Sequence, residues 1–159
     1  MENPWGNIWK MIAGVNLYGN GNNAGGAPYI CNNFNYNPSA LTENYENIGF
    51  NLPVGDNWIA ALGYGDEKYD WVFLPAKSGG TANSAAPVGD TGWYSTNFNG
   101  INCLLVGGNG AHGDRVGLFN YACDHTASNS SVYSYGARLM FIPMKNEIYN
   151  ENYNAWKQL

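Results

Sequence analysis

Charge is scarce in this chain: Asp, Glu, Lys and Arg make up only 12% of 159 residues, and seven Lys plus Arg face twelve Asp plus Glu, giving a formal net charge of −5. Phosphate backbones are bound by clustered cations, so nucleic acid is excluded as an expected partner, and an anionic membrane surface is disfavoured for the same reason. No apolar run approaches the length that crosses a bilayer, so membrane insertion is not expected. The residues after Met1, from Glu2 to Gly6, lack the basic and apolar regions of a cleaved signal peptide; a role outside a cell would require another route or a longer parent chain. The three cysteines, Cys31, Cys103 and Cys123, are widely spaced, with neither CxxC nor a histidine at ligand spacing. They signal no disulfide framework and no zinc site. Long amphipathic helical patterns and internal repeats are missing as well.

What the chain does have is amide, hydroxyl and aromatic surface. Aromatics are 15% of residues and glycine contributes 21, which separates the chain from disordered sequences and suits one domain of this length. Two apolar runs, Cys103–Val106 and Ala137–Ile142, are bounded by Gly and Pro as core strands are. Between them, from Asn120 to Tyr135, nearly every residue is Asn, Ser, Thr, Asp, His or Tyr, the set that binding surfaces use for adaptable hydrogen bonds and low-entropy aromatic contact. That arc is expected to face outward.

Elsewhere, Asn7–Val15 reads as a strand or single helical turn carrying Trp9 inward, and Tyr18–Ala27 as a Gly/Asn loop. Pro28–Cys31 reads as a strand continuing through Asn37, Ser39–Asn47 as a helical turn capped by Ser39, and Ile48–Pro53 as a half-buried strand. Asn57–Gly63 is apolar, and Lys68–Pro75 has the clearest strand composition before residue 100. Residues 76–91 form a long Gly/Ser/Ala loop within the domain. Trp9, Trp58, Trp71 and Trp93 are expected in the core, since each sits in an apolar or strand-like context.

Candidate chemistry is thin. His112 and His125 with Asp114, Asp124 and Cys123 could compose a Cys/His/Asp arrangement, but neither a nucleophile elbow nor an oxyanion loop accompanies them, so no enzyme and no catalytic residue is expected. The carboxylates of Asp66–Asp70, Asp56 and Asp90 do not follow the twelve-residue calcium pattern and read as solvated turns. The glycine strings lack the strand-GxGxxG-helix context of a nucleotide site. No metal and no cofactor is expected.

Several segments in order resemble a family. Gly107-Gly108, Gly113, Gly117-Leu-Phe119, Ser128-Asn-Ser-Ser131 and Gly136-Ala-Arg-Leu-Met-Phe141 resemble the C-terminal signature of C-type-lectin-fold variable proteins, including phage tail-fibre adhesins diversified by retroelements. Glu2–Asn16 is similar to the start of that module in gut-phage fibres and to an element of formylglycine-generating-enzyme-like domains. The likeness covers about residues 2–143. It departs from the enzyme branch, because Val116-Gly-Leu-Phe119 stands where that branch carries a cysteine, and Asn109-Gly110 follows the Gly-Gly pair where relatives often carry Trp.

The resemblance implies an α+β, C-type-lectin-like fold of short antiparallel strands, long loops and one or two short helices, with a ligand-display domain over 1–143 and a polar tail over 144–159. The display residues implied are Asn109, His112, Asp114, Asn120, Tyr121, Asp124, His125, Asn129, Tyr133 and Tyr135. The function implied is that of a receptor-binding adhesin domain on a virion, in a tail fibre or other surface appendage, meeting a bacterial cell-surface glycan or protein. Other virion proteins would be its assembly partners, and a homotrimer is expected because such appendages are commonly trimeric. The alternatives are a structural decoration protein of the virion and, further off, a formylglycine-generating-like enzyme.

Overall fold

A computed structural model describes residues 6, 8–23, 25–31, 33, 35–53, 57–79, 88–93, 97–128 and 135–136, with the side chains of Trp93, Asp114 and Tyr135 left out. The expected core strand over 137–142 and the polar tail over 144–159 lie outside these residues.

The described chain forms strands β1 (Trp9–Asn20), β2 (Ala27–Cys31), β3 (Tyr45–Asn47), β4 (Ile59–Tyr64), β5 (Phe73–Ser78), β6 (Gly92–Trp93), β7 (Asn99–Val106), β8 (Tyr121–His125) and β9 (Tyr135–Gly136). The main sheet has the order β3-β2-β1-β7-β8-β6, with β9 beside the start of β1. Pairing is antiparallel from β3 through β8, and parallel where β6 meets β8 and β9 meets β1. β4 and β5 form a separate antiparallel hairpin.

The expected α+β, C-type-lectin-like arrangement with short helices is overturned. Among the described residues the regular structure is strand, apart from a single 3-10 turn at Gly113–Arg115. The segment given a helical turn, Ser39–Asn47, shows the reason: Ser39 N–H donates to Asn37 Oδ1 and Asn44 N–H to Thr42 Oγ1, so short polar side chains take the backbone donors a helix would need. Its last residues join the sheet as β3. Other boundaries shift too. β1 runs into the expected loop as far as Asn20, β2 stops at Cys31, and Ile48–Pro53 is irregular chain outside any strand, bent at Gly49, with Ile48 and Leu52 buried.

β7 lies between β1 and β8, and its run Asn102–Leu105 is buried without alternation, as a central strand covered on both faces should be. Leu104 joins Leu17, Leu52, Ile59, Tyr121 and Cys123, and Leu62 and Leu74 of the hairpin pack against that cluster. Leu105 joins Trp9 and Ala122. A third cluster, Ile30, Ile48, Tyr69 and Val72, ties the hairpin's turn to β2.

Two irregularities interrupt the ladders on either side of β7. Between Met11↔Leu105 and Asn16↔Cys103, β1 advances five residues against two on β7, so three extra residues bulge there around Gly14, which has φ 78°. Between Leu105↔Ala122 and Cys103↔His125, β8 advances three residues against two on β7. The Cys123 carbonyl at this second bulge accepts from Asn102 Nδ2 at 2.6 Å, so the interrupted ladder leaves no orphan there.

Candidate functional site

The connection between β7 and β8, residues 107–120, is built from short turns. Ala111 N–H donates to Asn109 Oδ1 at 3.0 Å, His112 N–H to the Asn109 carbonyl at 3.1 Å, and Arg115 N–H to the His112 carbonyl at 3.2 Å. Gly107 N–H donates to the Asn120 carbonyl at 2.9 Å and closes the base of the loop. Gly108 must be glycine: its φ is 66°, and a Cβ there would run into the Val116 side chain and sit 2.9 Å from Asn120 Oδ1.

Asn120 is the hub. Its side chain is fully buried, and Nδ2 donates to the Thr91 carbonyl at 2.7 Å, to Thr91 Oγ1 at 3.0 Å and to the Arg115 carbonyl at 3.0 Å. The Thr91 hydroxyl and N–H both donate to that same Arg115 carbonyl. One step away, Phe119 N–H donates to Asp90 Oδ2 at 2.6 Å, while Gly117 lies so close to the Asp90 carboxylate that a Cβ would collide with it. Burial pushes the Asp90 carboxyl above its ordinary range, and the Phe119 N–H partly offsets this. Asp90 and Thr91 thus fasten the loop to the strand that begins at Gly92.

The sequence-predicted display residues separate into groups. Asn109 and His112 are half-buried on the loop, the His112 ring standing edge-on to Trp9 with centroids 5.4 Å apart; Asp114 lies in the 3-10 turn. Asn120 and Tyr121 are sealed inside, 0% and 1% exposed, so their assignment to a ligand-facing surface is withdrawn. The physical reason is that both belong to the frame: Asn120 satisfies buried carbonyls, and the Tyr121 ring fills the core while its hydroxyl donates to the Pro53 carbonyl at 2.9 Å. Asp124 and His125 are half-buried, touch one another through Asp124 Oδ1 and His125 Nδ1, and sit at the far end of β8, about 13 Å from its start at the usual rise per residue. Tyr135 contributes backbone to β9, and Asn129 and Tyr133 lie outside the described residues.

Residues that sequence reasoning passed over take their place. Arg115 and Leu118 are exposed on the loop, Leu118 at 63%. In the sequence Val116-Gly-Leu-Phe119 stands out only as part of the family resemblance and its departure from the enzyme branch; the positions of Asn120 and Asp90 show that this segment is fastened by its backbone, leaving Leu118 outside. Trp71, expected in the core, is 65% exposed, because the hairpin turn spans Asp66–Trp71 and β5 begins only at Phe73.

The cysteine chemistry is governed by burial. Cys103 pairs across the sheet with His125, but burial pushes its thiol up, the opposite of what activates a nucleophile. Among the described residues no three His, Cys, Asp or Glu side chains gather to hold a metal ion, and no helix is long and apolar enough to cross a membrane. Compared with known protein families, curated proteins and solved structures, the chain matches none.

Proposed function

We propose that this chain is a non-catalytic binding domain, the receptor-binding part of a phage fibre or similar virion appendage. It meets a bacterial surface glycan or protein through the rim of the 107–120 loop. The observation that carries this reading is the Asn120 hub: a buried amide that donates to three acceptors holds a loop on which Arg115 and Leu118 are exposed. A loop that is rigid at its base and variable at its rim presents a ligand surface at little entropic cost on binding.

The sequence resemblance to tail-fibre adhesins supports the biological setting, including a trimeric assembly on the virion surface. The composition supports a polar ligand recognised by neutral hydrogen bonds and aromatic contact, since charge is sparse throughout. Asp124 and His125 belong to a separate patch and are not part of this surface.

The test is binding of the purified chain to intact bacteria and to arrayed bacterial surface glycans. A rim variant, Arg115→Ala with Leu118→Ser, should lose binding and keep the wild-type melting temperature. Wild-type binding by that variant would assign the loop a purely structural part, as in a virion decoration protein.

A further inference from the structure

The tip of the β4–β5 hairpin carries a surface that the loop reading does not use. Tyr64, Trp71 and Phe73 are 66%, 65% and 47% exposed, an unusual concentration of bare aromatic area within ten residues. Tyr64 and Phe73 form one patch that reaches the 107–120 loop: they pair across the hairpin with rings 6.5 Å apart, and Phe73 meets the Phe119 ring at 5.7 Å; Trp71 stands on the turn with its ring 6.3 Å from that of Tyr69. Between them the turn exposes Asp66, Glu67 and Asp70.

The single cation of the turn, Lys68, is already engaged. Its ammonium is paired with Glu46 and stands 5.4 Å from the centroid of the Tyr69 ring. It therefore does not neutralise the outer carboxylates, and it shows in miniature how this tip holds a cation, between a carboxylate and a ring face.

We propose that the hairpin tip is a docking site for an arginine-bearing segment of a partner protein. The charge of the turn selects a cation and repels nucleic acid or an anionic lipid surface. The aromatic area selects arginine over lysine, because a planar, weakly hydrated guanidinium stacks on a ring while donating to a carboxylate, whereas an ammonium remains strongly hydrated. A guanidinium on Trp71 would find Asp70 beside it in sequence, and one on Tyr64 would find Asp66 and Glu67. This site stands independently of the receptor-binding reading, since none of these residues lies on the 107–120 loop.

The experiment titrates the intact chain with a fluorescent arginine–serine repeat peptide, followed by anisotropy, beside the same repeat built with lysine. The arginine peptide should bind saturably, more weakly as salt is raised, and several-fold tighter than the lysine peptide. Trp71→Ala should weaken it about tenfold, as should the combined variant Asp66→Asn, Glu67→Gln and Asp70→Asn, with both melting like wild type. The carboxylate variant keeps the test valid if Trp71→Ala disturbs folding. The proposal is overturned by absence of saturable binding, by equal affinity for the two peptides, or by binding that both variants retain. It is also overturned if sedimentation shows self-association that Trp71→Ala abolishes while peptide binding persists. Loss of glycan or cell binding in the loop variant with the arginine peptide still bound would separate this site from the receptor-binding surface.

Discussion

Asn120 illustrates how one amide can replace a stretch of secondary structure. Its Nδ2 donates to carbonyls from two separated segments, Thr91 and Arg115, adding to the Tyr121 N–H on the first and the Thr91 N–H and hydroxyl on the second. Asn120→Ala removes those two bonds while each carbonyl keeps another donor, a cost of roughly 1–3 kcal/mol at the usual net value per hydrogen bond, or a fall in melting temperature of about 5 °C for a chain of this size. Thermal melting followed by circular dichroism checks this. Asp90 behaves differently because its folded-state pKa is raised by burial above the ordinary 3.8. The sign follows from linkage: the folded state binds its proton more tightly, so the group's favourable contribution is fully present below about 3.8 and is lost as pH climbs through the raised value. Asp90→Asn keeps an acceptor for Phe119 N–H and removes the buried charge. Its melting temperature relative to wild type should therefore rise between about pH 4 and pH 7, where a flat difference would contradict the burial of that carboxylate. Neither residue could be assigned from sequence. Asparagine in a polar run reads as surface, and only the approach of residue 91 to residue 120 turns it into an internal strut.

At the scale of elements, the sheet is organised by its bulges as much as by its strands. The three extra residues of β1 around Gly14 let Trp9 and Leu17 serve different clusters from one strand. A Cβ on Gly14 would meet Cys31 Cβ at 3.7 Å, an ordinary contact, so the penalty of Gly14→Ala comes from the positive φ alone. About 1 kcal/mol of destabilisation is expected, measured by denaturant unfolding with an unchanged m-value. The strands over Cys103–Val106 and Pro28–Cys31 were legible, because β-branched and apolar runs between glycines and prolines have few alternatives. The Lys68–Pro75 strand was legible in composition but misplaced in register. The Asp66–Trp71 turn is held by Tyr69 N–H donating to the Asp66 carbonyl and Val72 N–H to the Tyr69 carbonyl, and aromatic content alone does not reveal such bonds. The polar run after Asn120 was misjudged for a related reason: Tyr121, Ala122 and Cys123 are all buried at its start, and three consecutive positions are too few to show a period among so many polar residues.

For the whole molecule, the absence of long helical patterns was a sound guide to a strand-dominated chain, while the short helices expected both from the Ser39 cap and from the resemblance reduce, among the described residues, to the 3-10 turn at Gly113–Arg115. The molecule joins a frame, in which Asn120 and Thr91 are sunk and Asp90 is half-buried, to two outward features, the loop rim and the hairpin tip, bridged by the Phe73–Phe119 contact. This division assigns stability to the sunken residues and recognition to the rim, so substitutions in the two sets should have opposite signatures. The most direct measurement is cell and glycan binding, taken with melting temperature, for the rim variant Arg115→Ala/Leu118→Ser. The account expects binding to vanish with the melting temperature unchanged; binding at the wild-type level would contradict it.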